Sequence, residues 1–425
     1  MAVMGGIIGA GIFMNPYLVA QRVGTSSLIL GVWVAGGLIA LVGGFIYAEL
    51  AARLPVVGGQ YAYLREALHP TVAFIYGWVL LLVIQTGGMA AVAVTFARYF
   101  LELTHWPIHD SIIAAAALGL LTAINCLGVR AGSRVQSAMT LTAIAAIGVL
   151  VLCSFVFGNA SQISWQPVLD EPPSLHLLIA FGSAMTPVLF AYGGWQTSSF
   201  LAGEVRDPRR TLPRGLIFGV LGVIAVYTAV NFAYVRALGP AGLAETTTPA
   251  SSVMHALLGV RGAQFIAAGI AFSAFGFLAQ SMLTAPRVYF AMAEDGVFFR
   301  SVAWVHPTTR VPVIAIALQG VWAIAIALTG TYAQVVNYVV AMDCIFFGLT
   351  AVCLFVLRRR GGEAVDYPVP GHPWTTLLFI AAQWLIVVST FAHDPIRSSI
   401  GLGIAAAGLP AYFLWRARSK REGRA

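Results

Sequence analysis

Two short segments put glycines where an apolar chain would otherwise stay helical. They are "GGIIGAGIF" (residues 5–13) and "FAYGGW" (residues 190–195). Both lie inside stretches apolar enough to cross a bilayer. In lipid every backbone N–H and C=O needs an internal partner, and glycine weakens a helix by about 1 kcal/mol relative to alanine. A break at that depth is tolerable where the freed groups face a polar ligand. One half-helix offers unpaired amides at its N-terminus, which suit a carboxylate. The other offers unpaired carbonyls at its C-terminus, which suit an ammonium. A site with both is made for a zwitterion and predicts a free α-amino acid, its side chain read by the walls of other helices. Glycine pairs also serve close helix packing. Gly36, Gly37, Gly43 and Gly44 are read that way, whereas two clusters at corresponding places in the chain favour a site.

Three more residues carry chemistry at or near membrane depth. Asp343, in "VVAMDCIFFG", is an ionisable group inside an apolar run and therefore a functional candidate. It is read as a proton carrier or side-chain selector, or alternatively as a structural carboxyl bonded to nearby hydroxyls. Gln85, beside Thr86, Gly87 and Gly88, either faces the cavity or makes an interhelical hydrogen bond. Glu49 stands four residues before Arg53, which fits an i,i+4 ion pair near the interface; it is the other candidate proton carrier. Cys126, Cys153, Cys344 and Cys353 show no CxxC spacing, and the eight histidines fall in loops or at helix ends without an HExxH. No metal, cofactor or disulfide framework is expected. An embedded enzyme needs a nucleophile with a base, and no intramembrane histidine serves Ser183 or Ser281. A channel would repeat polar rings along a pore, which are absent here.

The elements that must position these residues follow from composition. Hydrophobic residues make up 59% and charged residues 9%, against about 25% charged in a soluble domain. Mean hydropathy is +0.85. The charges cluster between apolar runs of roughly 20 residues, the length of a spanning helix; the ~10-residue alternation of a membrane barrel is missing. Twelve spans are expected, at about 1–21, 27–52, 71–101, 110–128, 134–157, 175–203, 212–237, 257–291, 311–329, 333–357, 373–392 and 397–415. With the N-terminus inside, 19 of the 24 Arg and Lys residues fall on cytoplasmic segments, as the positive-inside rule requires. The net charge of +8 therefore reflects topology and not nucleic-acid binding. Both termini are expected in the cytoplasm, in a cytoplasmic (inner) membrane, with lipid as surroundings. The chain is already apolar at Met1 and has no basic n-region. It reads as a late start that omits part of the first helix and a cytoplasmic tail, and not as a signal peptide. A single membrane domain, 1–425, is expected. Spans 1 and 6 open two five-helix sets, about 1–157 and 175–357, with spans 11 and 12 (373–415) outside them. Paired interruptions of this kind point to inverted repeats with the binding site between them.

These residues resemble a known family. "GAGIF" in span 1, "YAELAARLPVVGGQYAYLREA" (47–67), "FAYGGWQTSSFLAGEVRDPRRTLPRG" (190–215) and "RVYFAMAEDGVFF" (287–299) resemble the amino acid–polyamine–organocation (APC) superfamily, and among its branches the L-type amino acid transporters, in a bacterial single-chain form. The resemblance covers nearly the whole chain. It implies an all-α fold of twelve helices, ten of them in a five-plus-five inverted repeat with helices 1 and 6 broken. It implies amides around Gly9, Ala10 and Gly11 for the substrate carboxylate and carbonyls of Ile7, Phe190 and Gly193 for the ammonium. Ala191 would lie in the same segment, and Phe190 would be an aromatic gate. Trp195 is expected to pack against the break. Many relatives carry a lysine near Ala143, where this chain is apolar. The outer loop at 102–110 has no cysteine, so no disulfide-linked glycoprotein subunit is expected there. The implied activity is alternating-access transport, as sodium-independent exchange of neutral amino acids. The alternatives are a proton-coupled symporter and a carrier of cationic amino acids or polyamines.

Overall fold

The computed structural model describes residues 2–56, 58–128, 133–158, 165–196, 208–361 and 365–421. Residues 197–207 of the 190–215 motif, and Arg130, Arg206 and Arg424 of the charge split, lie outside them. Among the described residues every regular element is helical. In chain order these are α1 (Ala2–Ile7), α2 (Gly11–Arg22), α3 (Ser26–Arg53), α4 (Gln60–Ala67), α5 (Pro70–Val79), α6 (Gln85–Thr104), α7 (Asp110–Cys126) and α8 (Ser133–Phe157). There follow α9 (Leu175–Tyr192), α10 (Pro208–Glu245), α11 (Pro249–Thr284), α12 (Pro286–Glu294), α13 (Val313–Thr329), α14 (Tyr332–Arg359), α15 (Trp374–His393) and α16 (Pro395–Arg421). Eight stretches are long and apolar enough to cross a membrane, and three shorter apolar helices accompany them. Leu152, Phe218, Leu378 and Phe413 turn outward, as a hydrocarbon surround favours, while Asn15, Glu49, Asn231 and Gln319 are buried.

The packing joins distant parts of the chain. α2 lies against α9, α3 runs along α10, and α11 packs on α6 and α8. Away from the two glycine breaks, backbone groups freed inside helices find partners at three places. A proline removes the amide that the carbonyl four residues earlier would accept from. In α2, Pro16 frees the Ile12 carbonyl, and the Tyr234 hydroxyl donates to it at 3.5 Å. In α9, Pro187 frees the Ser183 carbonyl, and the Arg22 guanidinium donates to it. A π-helical turn, Leu80–Ile84, joins α5 to α6. There the Leu82 carbonyl accepts from Trp322 Nε1 at 2.8 Å and the Leu81 carbonyl from the Thr86 hydroxyl at 2.7 Å.

Polar clusters tie the helices together at two places away from the breaks. Asn15 donates to the Pro187 carbonyl at 2.5 Å and accepts from the Tyr332 hydroxyl at 2.7 Å, linking α2, α9 and α14. Arg22 adds a bond to Asn337 Oδ1 at 2.9 Å. Near the other end, Glu49 accepts from Arg53 Nε at 2.9 Å, from Arg358 Nε at 2.8 Å and Nη2 at 2.6 Å, and from the Val369 amide at 2.8 Å. The expected i,i+4 pair is there, and a second guanidinium joins it from α14. Outside the spans, Asp295 accepts from the Tyr61 hydroxyl at 2.7 Å and Arg65 Nη1 at 2.6 Å. Burial first, and then that bond, hold the Tyr61 hydroxyl above the ordinary phenol pKa.

Candidate functional site

The first break is a tight turn. The Ile8 amide still reaches the Met4 carbonyl at 2.7 Å, but the Gly9 amide folds back onto the Ile7 carbonyl at 2.7 Å and ends the helical ladder. α2 restarts at Gly11, and the first amides of a helix have no partner in a preceding turn. The second break follows Tyr192. The Gly193 amide donates to the Phe190 carbonyl at 3.2 Å. Gly194 then turns the chain at φ +98°, a backbone conformation that glycine adopts without penalty.

The fold brings these breaks face to face. A Cβ on Gly11 would stand 2.7 Å from Ala191 Cα, and a Cβ on Gly194 would meet the Gly6 carbonyl oxygen. The segments therefore touch backbone to backbone, which only glycine at those positions permits. The Tyr227 hydroxyl of α10 lies 3.0 Å from the Ile7 carbonyl and 3.2 Å from the Ala191 carbonyl. Its single hydrogen is shared between one acceptor from each break. Behind it, Tyr192 and Trp33 pack on the Tyr227 ring with centroids at 5.1 and 5.8 Å.

A cavity of about 110 Å³ lies at this junction. Ile7, Gly9, Ala10 and Gly11 line it from the first break, and Phe190, Ala191 and Gly193 from the second. Gln85 enters from α6 and Asp343 from α14. Gln85 also donates to the Ser281 carbonyl at 3.5 Å, so the wall and hydrogen-bond readings hold together. Asp343 is the one ionisable side chain among the lining residues. Among the described residues no donor bonds its carboxylate within the cavity. Glu49 is not in the cavity: it is buried among Arg53, Arg358 and the Val369 amide. The Gly9 amide is already spent on Ile7, which leaves Ala10 and Gly11 as the amide donors of the first break. The Ile7 carbonyl accepts from both the Gly9 amide and the Tyr227 hydroxyl, whereas the Phe190 carbonyl accepts from the Gly193 amide and keeps a second lone pair. Trp195 is buried outside the lining, stacked on Phe347 at 5.2 Å and edge-on to Tyr47 at 4.7 Å. Ala143 is buried.

Phe277, Gln280 and Ser281 of α11 and Gln196 also line the cavity, and sequence reasoning missed them. Residues 277, 280 and 281 share one helical face, but α11 offers many such faces and nothing in the chain marks which turns inward. A larger groove of about 1020 Å³ opens between α6, α7 and α11, lined by Arg98, Glu102 and Asp110 among others. Neither break reaches it, so its size does not make it the site.

The family model described as amino acid permease matches residues 1–410. The chain belongs to the amino acid permease family. This permease is similar to the serine/threonine exchanger SteT of Bacillus subtilis, at 34% identity over 97% of this chain and 94% of the relative. It is also similar to the human large neutral amino acids transporter small subunit 2, at 30% identity over 98% of this chain and 80% of the relative. The mouse Asc-type amino acid transporter 1 is 28% identical over 98% of this chain and 80% of its own length.

Within the permease, Tyr227 is the strut that holds the breaks in register. Tyr227→Phe keeps the ring packing and removes one hydrogen shared by two buried carbonyls. Leaving buried acceptors short of a donor costs about 1–3 kcal/mol. The expected result is a lower unfolding temperature in detergent together with slower exchange. A variant that matches the parent in both measurements would mean that the carbonyls find other donors.

Proposed function

We propose that this permease exchanges neutral α-amino acids across a cytoplasmic membrane, without sodium, by alternating access. One observation carries the reading: two helix breaks, 180 residues apart in the chain, meet around a single cavity with amides of one and carbonyls of both at its edge. Ala10 and Gly11 would hold the carboxylate, and the carbonyls of Ile7, Phe190 and Gly193 the ammonium. Phe190 would close over the substrate. The names of the relatives, which are exchangers and transporters of serine, threonine or large neutral amino acids, support the substrate class. A permease makes and breaks no covalent bond, and no cofactor enters the scheme.

The proposed architecture is one membrane domain of twelve spans, both termini cytoplasmic, with inverted repeats about 1–157 and 175–357. The pairing of α2 with α9 and of α3 with α10 supports it, since these helices hold the same rank in each half. Rocking of one set against the other about the junction would expose the cavity alternately. The permease works as a single chain in this reading, with no cysteine at 102–110 for a disulfide to a second subunit.

A second reading, proton-coupled uptake, is favoured by Asp343, a carboxylate in the cavity wall. Purified permease in liposomes separates the two. Labelled amino acid should enter only vesicles preloaded with unlabelled amino acid, with or without an inward proton gradient. Gradient-driven entry into empty vesicles would instead establish symport, and Asp343→Asn should then abolish it. No movement of any amino acid by folded protein would sink the substrate assignment.

A further inference from the structure

We infer that Phe277 is a specificity-determining residue: its ring closes the side-chain end of the cavity and restricts the permease to small, polar amino acids. The inference rests on the reading of this cavity as the amino acid site. Three observations carry it.

The first is contact. A Cβ on Gly9 would stand 3.0 Å from Phe277 Cε2, 3.2 Å from Cδ2 and 3.3 Å from Cζ. The ring edge of Phe277 is therefore pressed against the backbone of the first break. A substrate whose α-carbon sits between the two breaks would therefore have this ring as a neighbour. Phe190 stands in the lining from the second break, so aromatic rings from different helices bound the same small volume.

The second is size. The cavity measures about 110 Å³. An apolar cavity of about 150 Å³ holds benzene, a ligand of six heavy atoms. An α-amino acid uses five heavy atoms before its side chain begins. On that scale the shared atoms already fill the cavity, so each side-chain atom needs a wall such as the Phe277 ring to give way, and serine asks this of two atoms where leucine asks it of four.

The third is polarity. The lining also includes Gln280 and Ser281, on the same helical face as Phe277, and Gln85 and Asp343 from α6 and α14. A short side chain carrying a hydroxyl meets amide and hydroxyl groups there, whereas a long apolar one would desolvate them without replacement. Shape and polarity thus select in the same direction.

The test uses exchange in liposomes preloaded with serine. Labelled serine, leucine and phenylalanine are offered to the unaltered permease, to Phe277→Ala and to Phe277→Leu. One methylene of misfit in an apolar pocket changes selectivity by about 10–200-fold. The unaltered protein should therefore prefer serine over leucine by at least about tenfold. The leucine-to-serine ratio should rise by about tenfold or more in Phe277→Ala, and less in Phe277→Leu. A new substrate cannot be gained by a misfolded protein, so the readout survives a loss of yield. The assignment is overturned if the unaltered permease takes leucine as readily as serine. It is equally overturned if both variants exchange serine with an unchanged ratio. Those results leave the transport reading standing. Unaltered permease that moves none of the three amino acids overturns the transport reading and this inference with it.

Discussion

Replacing Gly194 by alanine will abolish exchange. Gly194 holds φ at +98°, where an L-residue costs about 1–2 kcal/mol. The added methyl would also meet the Gly6 carbonyl oxygen, with Gly6 C at 3.0 Å and Ile7 Cα at 3.7 Å. Those neighbours are backbone and cannot rotate aside as a side chain would. The second break must then move away from the first, and the amides and carbonyls at the cavity edge lose their register. Groups that bind by orientation lose most of their effect when displaced by about 1 Å, on the order of a hundredfold. Exchange below about a tenth of the parent rate is the minimum expected. Gly11→Ala should behave alike, because its Cβ would stand 2.7 Å from Ala191 Cα. Gly148→Ala is the control: nothing lies within 4 Å of its Cβ position in α8. A helical glycine in open space gains up to about 1 kcal/mol on becoming alanine, so that variant should transport and melt no lower than the parent. Near-normal exchange by Gly194→Ala would mean that the two breaks are not held together as the packing requires.

Glu49→Gln should give the largest loss of stability. The Glu49 side chain is fully buried, while its partners Arg53 and Arg358 are 17% and 27% exposed. Four donors converge on its two oxygens. Glutamine keeps the shape but offers one acceptor oxygen and places an NH₂ group where a donor already points. Removing one member of a buried pair costs about 3–5 kcal/mol, since the remaining charge is stranded. The partial exposure of both guanidiniums puts the expected value near the low end, about 3 kcal/mol. Detergent melting curves measure it. Because the cluster joins α3 and α14 to the segment at Val369, the same change should loosen that end of the helices. An unchanged melting temperature would show that solvent already screens both arginines.

The amino acid order by itself determined the fold class and the place of the breaks. Membrane helices are local structures: twenty apolar residues satisfy their own backbone, so "GGIIGAGIF" and "FAYGGW" announce their interruptions without reference to any other helix. The ion pair of Glu49 with Arg53 was legible for the same reason, since an i,i+4 spacing is a local distance. The breaks placed the site in two segments, and the family resemblance of those segments named Ile7, Gly9, Ala10, Gly11, Phe190, Ala191 and Gly193, all of which line the cavity. Which groups meet is settled when the helices pack. Arg358 joins Glu49 from 309 positions away, Tyr227 reaches Ile7 across 220, and the Ser183 carbonyl freed by Pro187 finds Arg22 across 161. In each case the chain shows that a group needs a partner without showing which. Phe277 is the sharpest instance. In the sequence it is one phenylalanine among 25 in an apolar chain, and every face of a membrane helix is apolar enough to look alike. Its meaning comes from the glycine it presses on, 268 residues earlier, because a helix's own periodicity carries no information about which neighbour each face will meet.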